Sequence, residues 1–130
     1  MIRKQFKEIY SLYEIIYKKE ELKHQSVEDI VADLKQMIID HPVIAYIDIF
    51  DQYQQTQRVN GVINPAIKAA QNIIFCFGME LPTPEVLAVR PRSIGVCELE
   101  DSYVINFMEA PNAQANATMV EMIKSLKSTD

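Results

Sequence analysis

The chain has 130 residues, 48% of them hydrophobic, with thirteen basic and eighteen acidic side chains and a net charge of −5. That size fits one globular domain, residues 1–130, able to bury roughly two thirds of its unfolded surface without staples. The acidic balance argues against nucleic-acid and anionic-membrane binding, no apolar run reaches the ~20 residues of a membrane span, and two cysteines without metal-ligand spacing make no disulfide framework.

The first ten residues, MIRKQFKEIY, carry basic groups but no apolar core of a signal peptide, so the expected compartment is the cytoplasm. Residues Ile2 to Leu22 are open between two readings. Phe6, Ile9, Tyr10, Tyr13, Ile16 and Tyr17 recur at helical spacing. Leu12–Tyr17 is also dense in the Tyr and Ile that strands favour. The pattern alone leans to helix. Val27–Asp40 is a helix: Ser26 is a good N-cap, Glu28 and Asp29 sit in the first turn, and Val27, Ile30, Val31, Leu34 and Ile38 form one apolar stripe. Pro42 ends it, because the residue before a proline is pushed out of the α region.

Val43–Phe50 is short, apolar and β-branched, hence a strand. Asp51–Gly61 (DQYQQTQRVNG) is polar and amide-rich, a loop or irregular segment. Asn64-Pro65 reads as the start of a short helix, a cap followed by proline at the first helical position. Asn72–Gly78 is a buried strand, and Thr83 is placed to cap one turn over Pro84–Ala88. Leu87–Phe107 then reads as a β-hairpin entered through Arg90-Pro91-Arg92, with strands Ser93–Leu99 and Ser102–Phe107. A turn at Glu100-Asp101 sets Leu99 opposite Ser102 and Val96 opposite Ile105. It puts Ile94, Val96, Tyr103, Ile105 and Phe107 on one face and Gly95, Cys97, Val104 and Asn106 on the other. A slip of one residue would exchange the faces. Asn112 caps a last helix whose stripe is Ala115, Met119, Met122, Ile123 and Leu126. The order predicts an α+β fold, a mostly antiparallel sheet of four to five strands with helices packed on one face.

Each group with chemistry has a plainer duty beside it. Arg90 and Arg92 could clamp a carboxylate or phosphate, or pair with acids and cover a sheet edge. Asp51, Tyr53 and Thr56 lie where binding groups often sit after a strand, or form an ordinary turn. Cys76 and Cys97 would need a base and a lowered pKa to act as nucleophiles, and nothing places His24 or His41 near either. There is no CxxC, HxxxH or HExxH and no Gly-rich phosphate loop, so neither a metal nor a cofactor is expected. Asn116-Ala117-Thr118 matches a glycosylation acceptor, idle without a secretory signal.

The segments HPVIAYIDIFDQYQQT, NPAIKAAQNIIFCFG and LPTPEVLAVRPRSIGVCELEDSYVINFMEAP together resemble a family of small bacterial proteins known only as a domain of unknown function. IIFCFG followed by LPxPEVLAVRPRSIG is the most specific part. More distantly, the layout is similar to the bacterial domain of unknown function 302, through the capped helix SVEDIVADLK, the Ile47-Asp48 step, the strand ending Phe77-Gly78 and the C-terminal hairpin. The resemblance implies a compact α+β domain whose first strand, about Tyr10–Glu20, precedes the Ser26-capped helix. It also implies a loop after Phe50 of the form FDHYxHT. Gln52 and Gln55 stand here where that form has histidines, so only Asp51, Tyr53 and Thr56 carry over. No activity comes with it. The expectation is a non-catalytic binding or self-associating domain. It would form a homo-oligomer, a dimer, through an edge strand or the mixed hairpin face. A small anionic ligand would sit where Asp51, Tyr53 and Thr56 approach Arg90 and Arg92. The alternative is a small enzyme using Cys97, Cys76 or the Asp51 carboxylate.

Overall fold

A computed structural model describes residues 1–127. Six strands, β1 (Ile2–Phe6), β2 (Tyr10–Lys18), β3 (Ala45–Asp51), β4 (Ala69–Cys76), β5 (Arg92–Glu98) and β6 (Ser102–Met108), form one sheet in the order β1-β2-β6-β5-β4-β3. Every pairing is antiparallel. Three helices accompany it, α1 (Val27–Asp40), α2 (Gln52–Arg58) and α3 (Ala113–Ser125).

The helical spacing of Phe6 to Tyr17 does not make a helix; residues 2–18 are the β1–β2 hairpin. Tyr17 packs into the core, whereas Ile9, Ile16 and Phe6 stay exposed, so the apolar residues do not form one buried stripe. The strand implied by resemblance over about Tyr10–Glu20 is β2, and the short segment before it is β1, which brings the sheet to six strands rather than the expected four to five.

α1 follows its sequence signals closely. Ser26 Oγ accepts from Asp29 N–H at 3.0 Å, and the five residues of its stripe are the buried ones. The hairpin register also falls as the alternation requires: Leu99 N–H donates to the Ser102 carbonyl at 2.8 Å, and Val96 opposes Ile105. Asn112 caps α3, its Oδ1 accepting from Gln114 and Ala115 N–H. The stripes of α1 and α3 meet Tyr17, Ile73, Phe75, Ile94, Val96, Tyr103, Ile105 and Phe107 in one hydrophobic core.

Two middle segments differ from expectation. Asp51–Gly61 is not an irregular loop: Asp51 caps α2, its Oδ1 accepting from Gln54 N–H at 2.8 Å, and the glutamines that follow are good helix formers. Asn64-Pro65 starts no helix. Asn64 Oδ1 instead accepts from Ala66 N–H, an Asx-type turn that leads into β4. β4 begins at Ala69, not Asn72, and ends at Cys76. The turn after Thr83 is a 3-10 helix, Pro84–Val89, and the Thr83 side chain does not cap it.

Candidate functional site

Between β4 and β5 the chain runs through residues 77–91, with Met79 77% exposed, Leu81 76% and Leu87 66%. Under this connection lies a cavity of about 640 Å³, walled by Ile47, Cys76, Met79, Glu80, Leu81, Leu87 and Arg90, among others. The local sequence explains the opening. Gly78 has no side chain, and the Arg90 guanidinium occupies the space one would need: a Cβ at Gly78 would lie 2.6 Å from Nη1 and 2.9 Å from Cζ. Arg90 Nη1 donates to the Glu80 carbonyl at 2.6 Å, which fixes the group at the cavity wall. The wall carries one cation, Arg90, and one acid, Glu80, amid mostly apolar side chains, and no ion pair joins the two, so the Arg90 charge is left for an anion with an apolar body.

Arg92 does something else. In β5 it stands two residues before Ile94, in the inward row, opposite Phe75. Its Nη1 donates to the Val89 carbonyl at 3.2 Å and its Nη2 to the Met108 carbonyl, while Nε is buried without a partner. Desolvation pushes its pKa below the ordinary arginine value, but a guanidinium remains charged. Among the described residues neither Arg90 nor Arg92 is ion-paired; the pairs go to Arg3, Lys4, Lys19, His24 and Lys127. Arg92 borders a smaller cavity of about 220 Å³, which shares Pro91 with the larger one.

The polar set after β3 is not brought to the arginines. Asp51 pairs with Gln71 on β4, and Arg92 pairs with Phe75, about 13 Å further along the strand. Asp51 is the α2 cap, and Thr56 Oγ1 donates to the Gln52 carbonyl at 2.9 Å. Tyr53 and Thr56 line a separate cavity of about 180 Å³ with Asn64, Ile67 and Ala70.

The thiols are likewise apart. Cys76 is in the wall of the Arg90 cavity, where its Sγ accepts from Gly78 N–H at 3.3 Å. Cys97 pairs with Ala70 and Val104 across the sheet. Burial, with Glu98 nearby, pushes the Cys97 thiol up, the reverse of nucleophile activation. His24 is buried against Asp33, with Nε2 2.8 Å from Oδ2, and His41 Nδ1 accepts from Val43 N–H. Among the described residues no three His, Cys, Asp or Glu side chains gather as a metal site, and no helix is long and apolar enough to cross a membrane. Asn116 is buried, its amide bonded to both the N–H and the carbonyl of Ala110.

Sequence reasoning passes over Gly78 as part of a site and weighs Cys76 only as a nucleophile. The usable signal was a glycine at a strand end, a position where a close approach is often needed. No curated protein and no solved structure matches the chain. The chain matches the family of unknown function DUF6858 over residues 1–128, nearly its whole length, and it belongs to that family.

Proposed function

We propose that the protein is a non-catalytic binding domain whose ligand is a small anion with an apolar body, held in the cavity under the β4–β5 connection with Arg90 as its charge partner. The observation that carries this reading is the absence of a carboxylate partner for Arg90, among the described residues, in a chain of net charge −5. A guanidinium held only by a backbone carbonyl keeps donors free for a carboxylate or phosphate oxygen. The exposed Met79, Leu81 and Leu87 give the ligand body apolar surface to cover.

Thermal unfolding with octanoate, octanol and octylamine tests it. Octanoate raises the midpoint, octanol raises it less, and octylamine leaves it unchanged. A ligand at a hundred times its Kd stabilises by about 2.7 kcal/mol, and Arg90→Ala removes the octanoate shift. Equal shifts from the acid and the amine, or an undiminished shift in Arg90→Ala, would overturn the reading.

Self-association is the second reading, favoured by a different observation. The β1–β2 hairpin stands at one edge of the sheet and exposes Ile2, Phe6, Ile9 and Tyr10. A second copy pairing there would cover an otherwise open strand edge. Light scattering reads it: a dimer that Phe6→Lys converts to monomer supports it, and a wild-type monomer removes it.

A further inference from the structure

A different surface lies on the sheet face turned away from the core. The registers align Ile16 with Val104 and Cys97, Leu12 with Met108, and Ser93 with Ile74. Each alternates with an inward neighbour, and none belongs to the hydrophobic core. A sheet face left to water normally carries polar residues at these alternate positions. Here the interior strands β2, β6 and β4 present Leu12, Ile16, Val104, Met108 and Ile74 instead, with Ile16 59% and Met108 51% exposed. A contiguous apolar patch of this kind marks an interaction surface.

Charge and area choose the occupant. The strands place four charged side chains on this face, Lys4 and Lys18 against Glu14 and Asp48. It is therefore neutral on a chain of net charge −5, and two copies can meet here without the repulsion that like charges impose. Lys4 is paired with Glu14 at 2.8 Å, whereas Lys18 and Asp48 have no ion-pair partner among the described residues. These two stand toward opposite corners. Lys18 on β2 is level with Ser102, hence with Leu99 beside β5, and Asp48 on β3 is level with Ser93. Since β5 lies midway between β2 and β3 in the sheet, their midpoint falls on β5 between Gly95 and Cys97. Strands about 4.8 Å apart and about 3.4 Å per residue give the six-stranded face roughly 700 Å², close to the ~800 Å² per partner of a stable interface.

We propose that this face is a homodimer interface, in which two copies stack sheet on sheet about a two-fold axis. The axis runs between the faces over Gly95 and Cys97, at right angles to the line from Lys18 to Asp48. It sets Lys18 of one copy against Asp48 of the other, twice, as an isologous contact requires. Val104, Ile16 and Leu12 are covered by the partner sheet. The inference rests on the self-association reading for its partner, a second copy, but uses this face rather than the β1–β2 edge. Stacked sheets lie about 10 Å apart, so the two Cys97 thiols, beside the axis, come within reach of a short bismaleimide. Cys76, at the far end of β4, lies off the axis.

Sedimentation equilibrium and cross-linking of the full chain test it. Wild type is a dimer. Val104→Lys, which sets a charge on an interior strand at the centre of the face and leaves the β1–β2 edge untouched, is a monomer. Lys18→Glu and Asp48→Lys each weaken dimerisation by about tenfold, and the double variant restores it, because each reversed charge then meets its reversed partner. Both positions are exposed, so this cycle serves if Val104→Lys does not fold. The bismaleimide links Cys97 to Cys97, and Cys97→Ser abolishes the link. A wild-type monomer overturns this face and the edge together. A dimer that persists in folded Val104→Lys, or a double variant no tighter than the single ones, overturns this face and leaves the edge standing.

Discussion

At the scale of single residues, most polar side chains that look available in the sequence are committed to the fold. Asp51 is spent on capping α2 and Thr56 on a helix carbonyl. Asn116 is the strongest case. Its amide donates to the Ala110 carbonyl at 2.9 Å and accepts from Ala110 N–H at 2.8 Å, inside the core. Asn116→Ala leaves both backbone groups unpaired and is expected to lower stability by about 2 kcal/mol, read as a lower urea midpoint at unchanged slope. A change near zero would mean that water replaces the amide. Arg90 differs from these groups because its backbone bond satisfies one donor and leaves its charge unmatched.

At the scale of elements, legibility tracked how local the decisive signal was. α1 and α3 were readable because cap and stripe both lie within the helix, and the β5–β6 hairpin because its alternation and two-residue turn fix the register. β1 and β2 were misread from pattern because aromatic and branched residues spaced three and four apart also occur in a strand whose exposed side keeps apolar groups. Ile16, 59% exposed beside buried Tyr17, is such a residue. α2 was missed because polar, amide-rich composition reads as loop when the cap at Asp51 is taken for a turn residue. The β1–β2 turn also carries a local cost: Lys7 and Glu8 both have positive φ, 51° and 66°, where a side chain costs roughly 1–2 kcal/mol. Glu8→Gly should therefore raise stability by about 0.5–1 kcal/mol, with a midpoint a few degrees higher. A lower midpoint would show that the Glu8 side chain contributes contacts that outweigh its backbone strain.

At the scale of the whole molecule, sheet order decides which residues can share a site, and sequence does not show that order. Asp51 ends β3 and Arg90 precedes β5, two strands that flank β4 and run the same way, so the residues lie toward opposite ends of the sheet and the expected joint site does not assemble. Instead, Gly78, two residues past β4, and the arginine before β5 come together, with Cys76 in the same wall. Cys97, raised in pKa by burial, stands outside that cavity and gives an internal reference. The central claim, that an anion with an apolar body occupies the Arg90 cavity, is tested most directly by iodoacetamide labelling of both cysteines, followed by peptide mass spectrometry. Octanoate should slow alkylation of Cys76 and leave Cys97 unchanged, and Gly78→Ala, whose methyl displaces the guanidinium, should abolish the protection. A Cys76 rate indifferent to octanoate, or equal slowing at both cysteines, would contradict it.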